Sequence, residues 1–211
     1  MIGLGRCSLE TPYLRKSKSL EQAKYIFDQC QKNQIGIVSY QDAKYPELAR
    51  DILDMPLILY YKGNLKENLQ GQAIVGARRC SRAGRTHAIN CAISLANQHI
   101  PVISGMAKGI DSYAHTACLH YGGFTVAVLG CGLDICYPKE HELLKQRIEE
   151  CGLILSEYEP GILPITYNFP KRNRIIAAIS SKIIIPKAGK GSGAMITAEY
   201  GRKYGREVQQ L

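Results

Sequence analysis

From Gln72 onward the sequence alternates short apolar runs with helix-length segments, and four of those runs lead directly into glycine-rich turns. The pattern predicts an α/β fold, a Rossmann-like parallel sheet with helices on both faces, because strands covered on both sides read as continuous apolar runs. Residues 1–70 are patterned differently and predict a small N-terminal appendage, a helical segment with two extension strands. A chain of 211 residues is long enough to bury a full core, so we expect a sizeable domain at 71–211 carrying the appendage.

In the appendage, a Lys-rich helical stretch from Ser19 to Gln31 precedes a strand at Ile35–Ser39. Tyr45-Pro46-Glu47-Leu48 follows, then a second strand at Leu57–Tyr61 closed by Gly63 and Asn64. In the larger domain, strands are expected at Ala73–Val75, Val102–Ser104, Thr125–Leu129, Leu153–Ser156, Ile183–Pro186 and Glu207-Val208. Helices are expected at Arg82–Gln98, Asp111–Tyr121, Glu140–Glu150, Arg174–Ile179 and Ala194–Tyr204. No internal repeat or low-complexity tract interrupts this order.

The formal net charge is +9, and a surplus of Lys and Arg favours polyanionic partners. It is concentrated towards the C-terminus. Residues 165–211 hold nine basic residues against Glu199 and Glu207, a local net of +7. No apolar stretch approaches the roughly 20 residues needed to span a bilayer, and the N-terminus lacks the apolar core of a signal peptide. The cytoplasm is therefore the expected location, with no membrane partner. The eight cysteines are then expected to be reduced thiols. None forms a CxxC pair, and Cys131 and Cys136 have no further ligands at zinc spacing, so no metal is expected.

The turns after the strands carry the functional signal. Gly76-Ala77-Arg78-Arg79 follows the first strand of the larger domain, and Gly105 to Gly109 follows Ser104 at the end of the second. Gly130-Cys131-Gly132 follows the third, while Gly189 to Gly193 follows the Ile183 strand and opens a helix. In an open parallel sheet these turns gather at the carboxyl edge, where ligands bind. Glycines there let backbone amides approach an anion, and helix N-termini add a favourable dipole. Together with Arg78, Arg79, Lys108 and Lys190, and with Ser192 and Gly193 at the helix start, they predict a phosphate-binding rim. For any one loop, a plain tight turn is an equally good reading.

A second constellation, Tyr167 to Arg174, is expected in a loop between a strand and a short helix. Phe169 offers a stacking platform, Lys171, Arg172 and Arg174 neutralise phosphates, and Asn168 and Asn173 can hydrogen-bond bases or backbone. Phe169 could equally enter the core, and Asn173 and Arg174 could equally tie down backbone groups.

Known nucleotide and catalytic patterns fit poorly. The first turn reads GARRCSRAG rather than GxGxxG, no acidic residue follows at the expected spacing, and GKGSGAM lacks a Walker A ending. No cofactor is expected. The five histidines are scattered, with no HExxH and no evident nucleophile partner. Asp111 is expected to cap the helix that begins near Ser112, and Glu157 is a carboxylate at the functional edge without an assigned role.

From about Tyr45 to Val208 the chain resembles the DNA-processing protein A (DprA/Smf) family. The matching segments include PLILYYKGN (56–64), AIVGARR (73–79), SGMAKGID (104–111) and AVLGCGLDICYP (127–138). LSEYEPG (155–161), NFPKRNRIIAAIS (168–180) and GSGAMITAEYGRKYGREV (191–208) follow in the family's order. The resemblance implies a non-enzymatic protein that binds single-stranded DNA and loads a RecA-type recombinase onto it in natural transformation and recombination. It also implies a homodimer and assigns the strand contact to Arg78 first, then to Lys171, Arg172 and Arg174. The family pattern continues past Arg206–Leu211 through a further strand and often a winged-helix-like domain, so a truncated C-terminus is expected.

An enzymatic alternative rests on GKGSGAMITAE (189–199), distantly similar to the glycine-rich motif of the lysine-decarboxylase-like (LOG) nucleoside-monophosphate phosphoribohydrolases. There Glu199 and Arg78 would act. The PGGxGTxxE pattern of those enzymes is not matched. A nucleotide-binding protein without a DNA role would explain the glycine turns but not the basic C-terminal stretch.

Overall fold

The computed structural model describes residues 12–187 and 192–211. Its eight strands form a single sheet: β1 (Gly36–Ser39), β2 (Ile58–Gly63), β3 (Gly71–Ile74), β4 (Val102–Ser104), β5 (Thr125–Leu129), β6 (Leu153–Ser156), β7 (Ser180–Ile185) and β8 (Glu207–Gln210). Six helices accompany them: α1 (Pro12–Lys32), α2 (Arg82–Asn97), α3 (Ile110–His120), α4 (Glu142–Cys151), α5 (Asn168–Ala178) and α6 (Gly193–Lys203). The expected α/β class with a mostly parallel sheet is what the chain adopts.

The strand order is β1-β2-β6-β5-β4-β3-β7-β8. Strands β3 to β6 step outward in one direction, and β7 and β8 lie on the other side of β3. The order in which strands are added therefore reverses between the parallel neighbours β3 and β7, and the crevice beyond their carboxyl ends is where such sheets bind ligands. Strands β1 and β2 extend the same sheet past β6 and are antiparallel, with Tyr60 opposite Ser156 and Val38 opposite Leu59.

Alternate residues of the buried strands supply the two faces, as the period of two requires. Ala73, Val75, Ile103, Val126, Val128, Ile183 and Ile185 pack with α5 and α6. Ile74, Val102 and Ile184 turn the other way and pack with α2 and α3, while Ala127, Leu129 and Ile154 meet α4 and the end of α1. Each fully buried large aliphatic side chain contributes about 1.5–3 kcal/mol relative to exposure, so this double-sided core fixes the register.

One element differs instructively from expectation. Helix α5 spans Asn168–Ala178 and not only Arg174–Ile179, so the constellation expected in a loop forms the helix's first turns. Pro170 permits this, since it is the third residue of the helix and the amides of a first turn have no intrahelical acceptor anyway. The expected last helix starts at Gly193, and the Glu140–Glu150 segment opens with a short 3-10 turn at Lys139–His141 before α4.

No helix among the described residues is long and apolar enough to cross a membrane. The seven described cysteines are free thiols, and no cluster of three or more His, Cys, Asp or Glu side chains suited to a metal occurs among the described residues.

Histidine 115 on α3 is fully buried. Its Nδ1 lies 2.7 Å from Thr125 Oγ1, and that hydroxyl donates to the Val102 carbonyl at 2.8 Å. The hydroxyl has one proton and gives it to Val102, so Nδ1 carries the imidazole proton. Nε2 is buried with no partner among the described residues. Burial, with lesser contributions from His141 and Arg172, pushes the imidazole from 6.5 down to about 3. A pKa lowered on folding stabilises the fold fully above the unfolded value and loses that contribution as pH falls towards the folded one. Stability should therefore drop between about pH 6.5 and 3 with a slope approaching about 1.4 kcal/mol per pH unit. Urea titrations of wild type and His115→Gln across that window are expected to differ by one proton; parallel curves would refute this. Asp111, whose carboxyl is raised chiefly by burial, has the opposite sign: its contribution is greatest in acid and fades as pH rises through its folded value.

Candidate nucleic-acid interface

A cleft of about 490 Å³ opens at the carboxyl edge of the sheet. One wall is the turn after β3, Val75 to Arg78, and the opposite walls are the first turns of α5 and α6. A smaller hollow of about 60 Å³ adjoins it and shares Arg78, Ala107, Tyr137, Phe169 and Arg172 as lining. The cleft thus lies in the crevice that the reversal between β3 and β7 creates.

At the mouth, the Phe169 ring stacks on Tyr137, with centroids 5.2 Å apart and planes 29° from parallel. The Arg78 guanidinium lies 5.8 Å from the Phe169 centroid, and the side chain is exposed. A cation and two aromatic rings therefore share one surface, the combination that binds a charged backbone and stacks bases. Tyr137 was not singled out by sequence reasoning. Its signal was present in the turn after β5, where an aromatic residue follows Gly130-Cys131-Gly132 by a few positions.

The cleft floor is held by charges that do not face solvent. Arg172 is 4% exposed and donates through Nη1 to the carbonyls of Val128 and, at 3.0 Å, Gly105. Its Nε donates to Asn173 Oδ1 at 3.3 Å, and Asn173 Nδ2 donates to the Gly193 carbonyl at 3.0 Å. One side chain pair therefore joins β4, β5, α5 and the start of α6. Burial pushes the guanidinium down to about 10, which leaves it charged at neutral pH.

Asp111 does not cap its own helix. It is the second residue of α3, and its Oδ2 accepts from the amides of Gly105 at 3.1 Å and Ala107 at 3.4 Å, which shapes the turn before the helix. Gly105 has to be glycine for this arrangement, since a Cβ there would come within 2.9 Å of both the Arg172 guanidinium and the Asp111 carboxylate. Gly109 has φ +82° and its Cβ position lies 2.4 Å from the Ala77 carbonyl oxygen. That close approach lets the Ile110 amide donate to Ala77 and binds the turns after β3 and β4 together.

The remaining expected site residues are placed as follows. Gly76, Ser192 and Gly193 line the cleft, and the Ser192 hydroxyl has no partner among the described residues. Ser104 is fully buried and donates to the Ile74 carbonyl at 2.6 Å. Asn168 is buried, with its Nδ2 unpartnered among the described residues. Lys108 pairs with Glu140 at 2.6 Å on the surface and lines the smaller hollow. Arg174 makes a two-pronged contact with Glu157 at 3.0 and 2.8 Å, and Lys171 approaches the same carboxylate at 3.3 Å. Glu157 is thereby accounted for, as the counter-ion of both. Arg79 is exposed beside the cleft without lining it, and Lys190 lies outside the described residues. Glu199 is exposed on α6 and does not line the cleft.

The chain is similar in sequence and in fold to known proteins. The family model for DNA recombination-mediator protein A matches residues 36–211. DNA processing protein DprA of Streptococcus pneumoniae is 43% identical over 171 residues, covering 81% of this chain and 60% of that protein. Protein Smf of Synechocystis is 36% identical over 214 residues, covering 99% of this chain and 53% of its own length. The chain thus spans little more than half the length of these relatives. Among solved structures, the S. pneumoniae DprA superposes with a TM-score of 0.84 at 37% identity, covering 96% of this chain and 71% of that one. A DNA processing protein A from Helicobacter pylori, studied for its single-stranded DNA binding mode, superposes with a TM-score of 0.76 at 34% identity over 84% of this chain and 80% of that one. With the family pattern running through β1 to β8 and the fold reproduced at this level, the chain belongs to the DNA recombination-mediator protein A family.

Proposed function

We propose that this chain binds single-stranded DNA at the carboxyl-edge cleft. The observation that carries the reading is the exposed Arg78 guanidinium over the Phe169 ring, with Tyr137 stacked on the same ring, at the mouth of the cleft. Arg78 neutralises a phosphate while the aromatic pair offers a face to a base, and both contacts are indifferent to sequence. The DNA-binding unit is assigned to residues 71–211, with 1–70 as its appendage. Gly76, Arg79, Lys108, Lys171, Ser192 and Gly193 form the surrounding rim. Asn168, Ser104, Gly105, Gly109, Arg172, Asn173 and Arg174 act by shaping it.

The reading extends to a cytoplasmic homodimer that loads a RecA-type recombinase onto the bound strand during DNA uptake and recombination, with no catalytic step of its own. Its single-stranded DNA part is supported by the H. pylori relative, which was studied for single-stranded DNA binding. The test is fluorescence anisotropy of labelled oligo-dT and its duplex counterpart at two salt concentrations. Wild type should bind the single strand with strong salt dependence. Arg78→Ala should weaken binding for every sequence and reduce the salt slope by about 0.7, one phosphate contact on a single strand. Salt-independent affinity, or none, would overturn the reading.

A further inference from the structure

Beyond the cleft, the first turns of α2 and α3 carry an exposed cation-and-tyrosine surface of their own. Arg82 and Arg85 are exposed and three residues apart, hence neighbours on one face of α2. The Arg85 guanidinium lies 4.5 Å from the ring centroid of Tyr113, a half-buried residue of α3. Neither arginine has a carboxylate partner among the described residues, whereas Lys108, Arg147, Lys171 and Arg174 are all ion-paired. Helix α2 contains no acidic residue, and the acidic residue of α3, Asp111, is turned inward to the amides of Gly105 and Ala107. The surface therefore presents uncompensated positive charge backed by an aromatic ring.

We infer that this surface is a second contact for the same strand, a stacking and phosphate-binding step that receives nucleotides after they leave the cleft. The inference rests on the single-stranded DNA reading above and names where the strand goes. Arg78 lines the cleft and lies four residues before Arg82, and the bond from the Ile110 amide to the Ala77 carbonyl holds the start of α3 against that turn. The two surfaces are thus continuous through one short segment. Unpaired guanidinium groups match phosphates, and a guanidinium lying on a half-buried tyrosine is the cation-and-ring pairing that meets a charged backbone and its bases.

The test compares the 211-residue wild type with Arg82→Ala/Arg85→Ala and with Tyr113→Ala, using a short oligo-dT of about six nucleotides and one of about twenty, lengths chosen to fill one site or run beyond it. Thermal melts confirm that each variant folds. The double arginine variant should bind the short oligonucleotide as wild type does, but bind the long one more weakly, with a salt slope lower by about 1.4. Tyr113→Ala should lose about five-fold or more in affinity for the long oligonucleotide alone. Unchanged affinity for both lengths overturns the inference. Equal losses at both lengths also overturn it, since the surface would then belong to the cleft. If wild type binds neither oligonucleotide, the single-stranded DNA reading itself fails and takes this one with it.

Discussion

Replacing Arg172 by alanine is expected to destabilise the protein by about 3–5 kcal/mol, the cost of removing one member of a buried charged network. The side chain is 4% exposed and its donors reach the carbonyls of Gly105 and Val128 and the Asn173 amide oxygen. Truncation leaves those acceptors without their donor and removes the charge that offsets the buried Asp111 carboxylate. Urea denaturation followed by circular dichroism would measure it. Adding Asp111→Asn should recover part of the loss, because the orphaned charge disappears, while the lost hydrogen bonds remain lost. A loss under about 1 kcal/mol, as at an ordinary surface position, would show that Arg172 does not hold the cleft floor. Single-strand affinity should fall in the same variant even at temperatures where it is fully folded, since the turn after β4, α5 and the start of α6 lose their common tie.

Glu157 is expected to be the next most sensitive position. Its side chain is 7% exposed and faces Arg174, at 9%, and the more exposed Lys171. Glu157→Ala strands a nearly buried guanidinium and should cost about 3 kcal/mol. Glu157→Gln keeps an acceptor and should cost less, and it has a second consequence that a merely structural residue would not. With the carboxylate gone, Lys171 is released from its pairing and becomes available to a phosphate. Single-strand affinity at low salt should rise and the salt slope should steepen by about 0.7. A slope identical to wild type would place Lys171 away from the strand.

Much of this was determined by the sequence alone. The apolar runs from Thr125, Leu153 and Val102 are β5, β6 and β4 with the expected bounds, because strands buried on both faces must be apolar throughout and the flanking glycines end them. The glycine-rich turns after β3, β4 and β5 lie at one edge because parallel strands all present the same end. The place of Arg78 at the cleft was legible for two reasons: it lies in the turn after a strand, and its segment belongs to the family's pattern.

What the sequence could not decide is which cations face solvent. Lys171, Arg172 and Arg174 read alike as a basic cluster, yet helix α5 places them at different angles, so one is buried under carbonyls, one is clamped by Glu157 and one is half free. The segment around Pro170 reads locally as a loop, yet a proline in a first turn costs no intrahelical bond, and α5, which packs Ile175 and Ile176 into the core, begins at Asn168. Tyr137 and Phe169 are 32 positions apart in the chain, and their stacking exists only because β5 and α5 meet at the sheet edge. Composition supplied the charge and the rings; long-range packing, which no local pattern encodes, decided which of them meet at the cleft.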